Sequence, residues 1–159
     1  MEGPAAPDLK DKAPRAILFM CGMNSIRSPM AEVIAKQIVA PGIYIQSAGV
    51  RAGDRDPFVD AVLDEAGLTL GKHKPRTMDE IEDDFFDLII TLTPEAHHAA
   101  LELTRYNALE VVYWPTMDPT VETGSREQRL EAYREVRDHL KKLISERLPQ
   151  RAQPFSETL

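Results

Sequence analysis

Cys21 and Arg27 stand six positions apart, with Gly22, Met23, Asn24, Ser25 and Ile26 between them and Ser28-Pro29 directly after. A cysteine attacks other centres as its thiolate, a form favoured by a helix N-terminus and a nearby cation. Arginine holds two oxygens of a phosphoryl group in one planar fork, where lysine offers a point charge. The intervening loop is long enough to curl around one tetrahedral oxyanion and turn successive backbone N–H groups toward it. Cys21 is thus the expected nucleophile, with Gly22, Met23, Asn24, Ser25, Ile26, Arg27 and Ser28 as the phosphate-binding positions. Ser28-Pro29 reads as a helix opening, since serine caps free N–H groups and proline fits the first helical position. A buried structural cysteine at a strand end is the plainer alternative. The joint spacing of Cys21, Arg27 and Ser28 speaks against it.

An ester also needs a proton on its leaving oxygen, and a carboxylate near the thiol would supply it and then activate water. Two Asp-Pro pairs compete for that role, Asp56-Pro57 and Asp118-Pro119. Asp56 precedes a helical pattern and reads as its cap. Asp118 follows the last strand-like run; Asp-Pro is also a common turn opener.

Those residues must be positioned by strands and helices in alternation. The periodicity predicts strands at Ile17–Met20, Ile43–Ala48, Leu88–Leu92 and Leu109–Tyr113. It predicts helices at Pro29–Val39, Pro57–Ala66 with a stop at Gly67, a short one at Met78–Asp83, and one at Glu95–Thr104 after Pro94. The last helix is the clearest: Ser125 and Gln128 make a capping box, and Leu130, Tyr133, Val136, Leu140 and Ile144 form one apolar stripe. Such alternation implies an α/β fold, a single-domain doubly wound four-stranded parallel sheet with helices on both faces. In that architecture a ligand binds outside the carboxyl ends of the strands, where Cys21 falls.

Cys21 to Ser28, followed by Pro29-Met30-Ala31-Glu32, resembles the C-x5-R-S loop of the low-molecular-weight protein tyrosine phosphatases and the related thioredoxin-linked arsenate reductases. The resemblance continues through Ser47-Ala48-Gly49, His73-Lys74-Pro75-Arg76, Phe86-Asp87-Leu88-Ile89-Ile90 and Asp118-Pro119, over residues 15–148. It implies a cysteinyl-phosphate intermediate, Asp118 as acid then base, and Asn24, Ser47 and His73 as polar groups supporting the strained loop. It also implies a phosphorylated protein or a small aryl phosphate as substrate, with no metal and no cofactor. Three positions depart from the pattern. Ile26 stands where many members have a second cysteine, Thr93 where the reductases keep a resolving cysteine, and Thr120 where phosphatases place an aromatic against the substrate ring. The alternatives are an arsenate reductase that borrows an external thiol, and a non-catalytic phosphopeptide or oxyanion-binding module.

Composition fits a single cytoplasmic domain: 159 residues, 43% of them hydrophobic, with one cysteine. A formal net charge of −7 argues against nucleic acid or an anionic membrane as partner, so an anionic substrate must be drawn by a local positive site. No apolar run approaches membrane-spanning length, and no motif speaks to oligomeric state. Residues 1–14 and 149–159, rich in proline and charge, are expected as tails around the 15–148 domain. His97 and His98, adjacent on a predicted helix, are expected at the surface and not as metal ligands.

Overall fold

The computed structural model describes residues 8–81 and 85–152. Strands β1 (Ala16–Cys21), β2 (Tyr44–Gly49), β3 (Leu88–Thr91) and β4 (Glu110–Tyr113) form one parallel sheet in the order β2-β1-β3-β4. Helices α1 (Arg27–Ile38), α2 (Pro57–Glu65), α3 (Pro94–Leu103) and α4 (Arg126–Arg147) connect and cover it. Every residue of β1 is buried, because this central strand is covered on both faces. Ile17, Phe19 and Cys21 join one apolar cluster with Ile34 of α1, Val59 of α2 and Leu140 of α4. Leu18 and Met20 join the other, with Ala96 and Ala100 of α3. The doubly wound α/β sheet expected from alternation is the fold observed.

Local chemistry sets most boundaries. Ser125 and Gln128 close the capping box on α4, and the five stripe residues from Leu130 to Ile144 are all buried. Asp56 caps α2 by accepting from the Phe58 N–H at 2.9 Å. Thr93 caps α3 by accepting from the Ala96 N–H at 3.1 Å. The short helix expected over Met78–Asp83 is a 3-10 turn at Met78–Glu80, and residues 82–84 lie outside the described part.

Three expectations are corrected. First, α1 begins at Arg27, two residues before Pro29, and no side chain caps it. Ser28 turns its hydroxyl inward instead, which leaves the first-turn N–H groups open. Second, the chain before residue 15 is not all tail. Leu9 is 1% exposed, packs in the larger cluster, and donates its N–H to the Arg147 carbonyl at 2.7 Å. Third, the chain past 148 pairs with the end of α1: Val39 bridges Gln150, and the Arg151 N–H donates to the Ile38 carbonyl at 2.8 Å. Proline-rich composition hid these contacts because one apolar side chain and a few backbone bonds suffice to dock a segment.

An ion-pair cluster ties α2 to α4. Glu65 meets Arg134 at 2.8 Å and Arg137 at 3.0 Å. The hydrogen bond from Arg134 chiefly, with Arg137 adding to it and partial desolvation opposing, holds Glu65 at about 2, below its ordinary 4.5. Since the folded-state value is depressed, the stabilisation is complete above pH 4.5 and is lost as pH falls toward 2. Glu65→Gln is therefore expected to lower the melting temperature at pH 7 and to flatten its decline across that acid window. Parallel melting curves that differ by a constant amount down to pH 2 would show that the cluster carries no linked protonation.

Candidate active site

β1 runs to Cys21 itself, which is registered opposite Gly49 of β2. Beyond the strands the backbone pairing continues: Val50 N–H donates to the Cys21 carbonyl at 3.1 Å, Arg51 to Gly22 at 2.8 Å, and Gly53 to Met23 at 2.9 Å. The loop from Cys21 to Arg27 is thereby zipped to the segment after β2. The contact is so close that a Cβ on Gly49 would lie 2.4 Å from the Arg51 carbonyl oxygen and 2.7 Å from the Asn24 nitrogen. That accounts for the glycine in Ser47-Ala48-Gly49. Asn24 adopts φ +56°, left-handed geometry that asparagine tolerates better than most residues.

A buried hydrogen-bond chain holds that turn, and its polarity can be deduced. The Arg76 N–H can only donate, so Asn24 Oδ1 accepts it at 3.0 Å, which orients the amide. Asn24 Nδ2 then donates to Ser28 Oγ at 2.9 Å and Ser47 Oγ at 3.0 Å. The Ser47 hydroxyl donates in turn to the Glu32 carboxylate at 2.5 Å, and Glu32 is also paired with Lys36 at 2.6 Å. Ser28 Oγ, already accepting from Asn24, lies 2.9 Å from Cys21 Sγ and 3.4 Å from the Ala48 carbonyl. The carbonyl can only accept, so the one Ser28 hydrogen is shared between it and the sulfur, and the hydroxyl fixes the place of Sγ whichever of the two groups donates. His73 Nε2 lies 3.4 Å from the Asn24 carbonyl, which can only accept. Burial first, with Arg76 and Arg55 adding to it, pushes His73 below its ordinary value against the pull of that bond and of Glu32. A neutral imidazole donating through Nε2 satisfies both observations.

The carboxyl ends of β1 and β3 and the loop after β4 border one cleft of about 550 Å³. Cys21, Gly22, Met23, Ser25, Ile26 and Arg27 line it, and so do Asp118 and Thr120. Asn24 and Ser28 do not line it; their side chains are fully buried and belong to the supporting chain. Arg27 Nη1 donates to the Thr116 carbonyl at 2.9 Å, which ties the guanidinium to the loop that carries Asp118. Asp118 Oδ1 accepts from the Thr120 N–H at 2.9 Å and its hydroxyl at 2.7 Å. Partial burial opposes ionisation of Asp118, but these two bonds and the charge of Arg27 outweigh it and hold its carboxyl below the ordinary value. Asp56 is engaged elsewhere: its second oxygen accepts from Tyr133 at 2.6 Å, so it joins α2 to α4.

Several functional groups were not singled out from sequence. Glu32 and Arg76 anchor the buried chain, and Arg51 and Glu95 add an ion pair to the cleft wall. The one local sign of Glu32 is its place four residues after Ser28, one turn along the same helix face. His97 is a correction: it is half-buried, stacks on Tyr113 with ring centroids 4.8 Å apart, and its Nδ1 lies 2.9 Å from Thr91 Oγ1. Among the described residues, no group of three or more His, Cys, Asp or Glu side chains is placed to hold a metal ion. None of the described helices is long and apolar enough to cross a membrane.

The sequence profile of the low molecular weight phosphotyrosine protein phosphatases matches residues 16–153. An arsenate reductase of Halalkalibacterium halodurans is 30% identical over 130 residues, 82% of this chain and 92% of that protein. The solved tyrosine phosphatase of Erwinia amylovora is similar in fold, with a TM-score of 0.67 at 21% identity over 86% of this chain and 93% of its own. The YwlE arginine phosphatase of Geobacillus stearothermophilus has a TM-score of 0.65 at 26% identity, over 84% of this chain and 90% of its own.

Proposed function

The chain belongs to the low molecular weight phosphotyrosine protein phosphatase family, and from that premise we propose that it hydrolyses phosphomonoesters, phosphotyrosine in proteins above all, through a cysteinyl-phosphate. The thiolate of Cys21 attacks phosphorus, an S–P bond forms, and the P–O bond to the leaving group breaks. Asp118 gives its proton to that departing oxygen. The resulting carboxylate takes a proton from water, whose oxygen attacks phosphorus; the S–P bond breaks and inorganic phosphate leaves. Arg27 and the loop N–H groups hold the equatorial oxygens throughout, supplying positive charge where it is needed.

The observation that carries hydrolysis over arsenate reduction is the cysteine count of one. Reduction of arsenate oxidises thiols, and a sulfur that has reacted is released by a second thiol. Ile26 and Thr93 leave the chain without one, and the Thr93 hydroxyl is already occupied as the α3 cap. The reductase reading, favoured by the name of the Halalkalibacterium relative, requires a small thiol from outside. Purified protein is expected to turn over an aryl phosphate steadily. With arsenate and thioredoxin but no small thiol it should show no multiple turnover. Sustained thioredoxin-coupled arsenate reduction under those conditions would overturn the choice.

Thr120 takes a role in this scheme in place of ring binding. Asp118 acts while protonated, so a depressed value shortens the pH range in which the acid is loaded, and the rate falls as pH rises through it. Thr120→Ala removes the hydroxyl bond to the carboxylate and raises the Asp118 value. The basic limb of the kcat/KM profile should move to higher pH. A profile that stays in place, or moves down, would show that the hydroxyl does not tune the acid.

A further inference from the structure

Arg51 and Glu95 form a two-pronged ion pair on the wall of the cleft that holds Cys21 and Arg27: Nη1 meets Oε2, and Nη2 donates to Oε1 at 3.1 Å. None of the chemistry above uses it. The pair hangs beside Gly22, next to the nucleophile, for a Cβ on Gly22 would lie 3.2 Å from Glu95 Oε1 and 3.9 Å from Arg51 Nη2. Both partners are set from the backbone. Arg51 is fastened to the phosphate loop by its own N–H bond to the Gly22 carbonyl at 2.8 Å. Glu95 lies in the first turn of α3, after Pro94 and the Thr93 cap.

Resting on the phosphatase reading, we infer that Arg51 is a second anion subsite, occupied by Glu95 until a carboxylate flanking the phosphorylated residue of a peptide substrate takes its place on the guanidinium fork. The geometry of the occupant is the argument. Glu95 shows that a carboxylate seats bidentately on this fork, while the phosphoryl position lies along the same wall. Exchange is cheap, since both side chains are about half exposed, at 55% and 46%, and such exposed pairs contribute little. The gain comes from placement: the backbone of Arg51 is bonded to the phosphate loop, so its fork starts beside the first anion when a second arrives. In a chain of net charge −7, local cations of this kind decide which anionic peptides approach.

The test separates recognition from turnover by measuring binding in the Cys21→Ser protein. Dissociation constants come from fluorescence anisotropy of three phosphotyrosine peptides, with flanking glutamates, flanking alanines, or flanking alanines and a second phosphorylated residue. The glutamate peptide should bind about fivefold tighter than the alanine peptide, the upper end of what an exposed ion pair contributes. Adding Arg51→Ala should bring that ratio within about twofold, and adding Glu95→Gln should widen it by removing the internal competitor. A ratio near one in the starting protein, or one that Arg51→Ala leaves in place, overturns the subsite, as does absence of measurable binding by all three peptides. Preference for the doubly phosphorylated peptide alone would overturn the carboxylate assignment. If the ratios behave as stated while the Cys21 protein hydrolyses no aryl phosphate, the catalytic reading falls and the subsite stands.

Discussion

Cys21→Ser should abolish hydrolysis of an aryl phosphate while inorganic phosphate still binds. Serine fits the same place, and its hydroxyl can keep the hydrogen bond to Ser28 now made by Sγ at 2.9 Å. The supporting chain through Asn24, Ser47 and Glu32 does not involve the sulfur, so the loop keeps its shape. What is lost is a nucleophile: a serine hydroxyl attacks phosphorus far less readily than a cysteine sulfur. Steady-state rates and phosphate binding by calorimetry together read this out. Turnover that persists in the serine variant would remove Cys21 as the nucleophile. Loss of phosphate binding together with turnover would instead mean that the sulfur shapes the loop.

Asp118→Asn should slow esters with poor leaving groups by about 10²–10⁴, the usual contribution of general acid catalysis, and activated esters much less. The amide keeps an acceptor for the Thr120 N–H and hydroxyl, which meet Asp118 Oδ1 at 2.9 Å and 2.7 Å, so the loop stays in place while the transferable proton is gone. The contrast is Asp56→Asn. Asparagine caps a helix as well as aspartate does, so α2 persists with the one amide oxygen on the Phe58 N–H, and the NH2 group that then faces Tyr133 donates to its hydroxyl where a carboxylate oxygen had accepted from it. That change should cost about 1 kcal/mol of stability and leave the dependence on leaving group as it was. A plot of log rate against leaving-group pKa decides between them: it steepens for Asp118→Asn, and if it steepened for Asp56→Asn instead, the acid would be the other Asp-Pro.

Whatever is local in the chain was legible before folding. Cys21 and Arg27 announce their chemistry because type and spacing alone make a nucleophile and a phosphoryl fork around one short loop. Ser125 with Gln128, Asp56 with Phe58, and the stripe along α4 could be read for the same reason: each is an interaction within one or two helical turns, where spacing dictates geometry. Even the continuous apolar run of β1 foretells a strand covered on both faces.

What lies between distant residues was decided by tertiary structure. Ser28 looked like a cap, yet its hydroxyl turns to Cys21 and Asn24, because parallel pairing with β2 brings Ser47 beneath the loop, where it meets Glu32 of α1 and offers a polar chain to join. Asp56 and Asp118 are equivalent as dipeptides; packing of α4 gave one to Tyr133, and the end of β4 set the other beside Cys21 and Arg27. Arg51 and Glu95, 44 positions apart, meet only because the loop after β2 and the start of α3 after β3 flank the same end of β1. Leu9 reaches the core by a backbone bond to Arg147, with no periodic pattern around it to mark it. Periodicity states which face of an element is apolar but not which partner will cover it, so the identity of long-range hydrogen bonds emerges only when strand order and register bring particular side chains together.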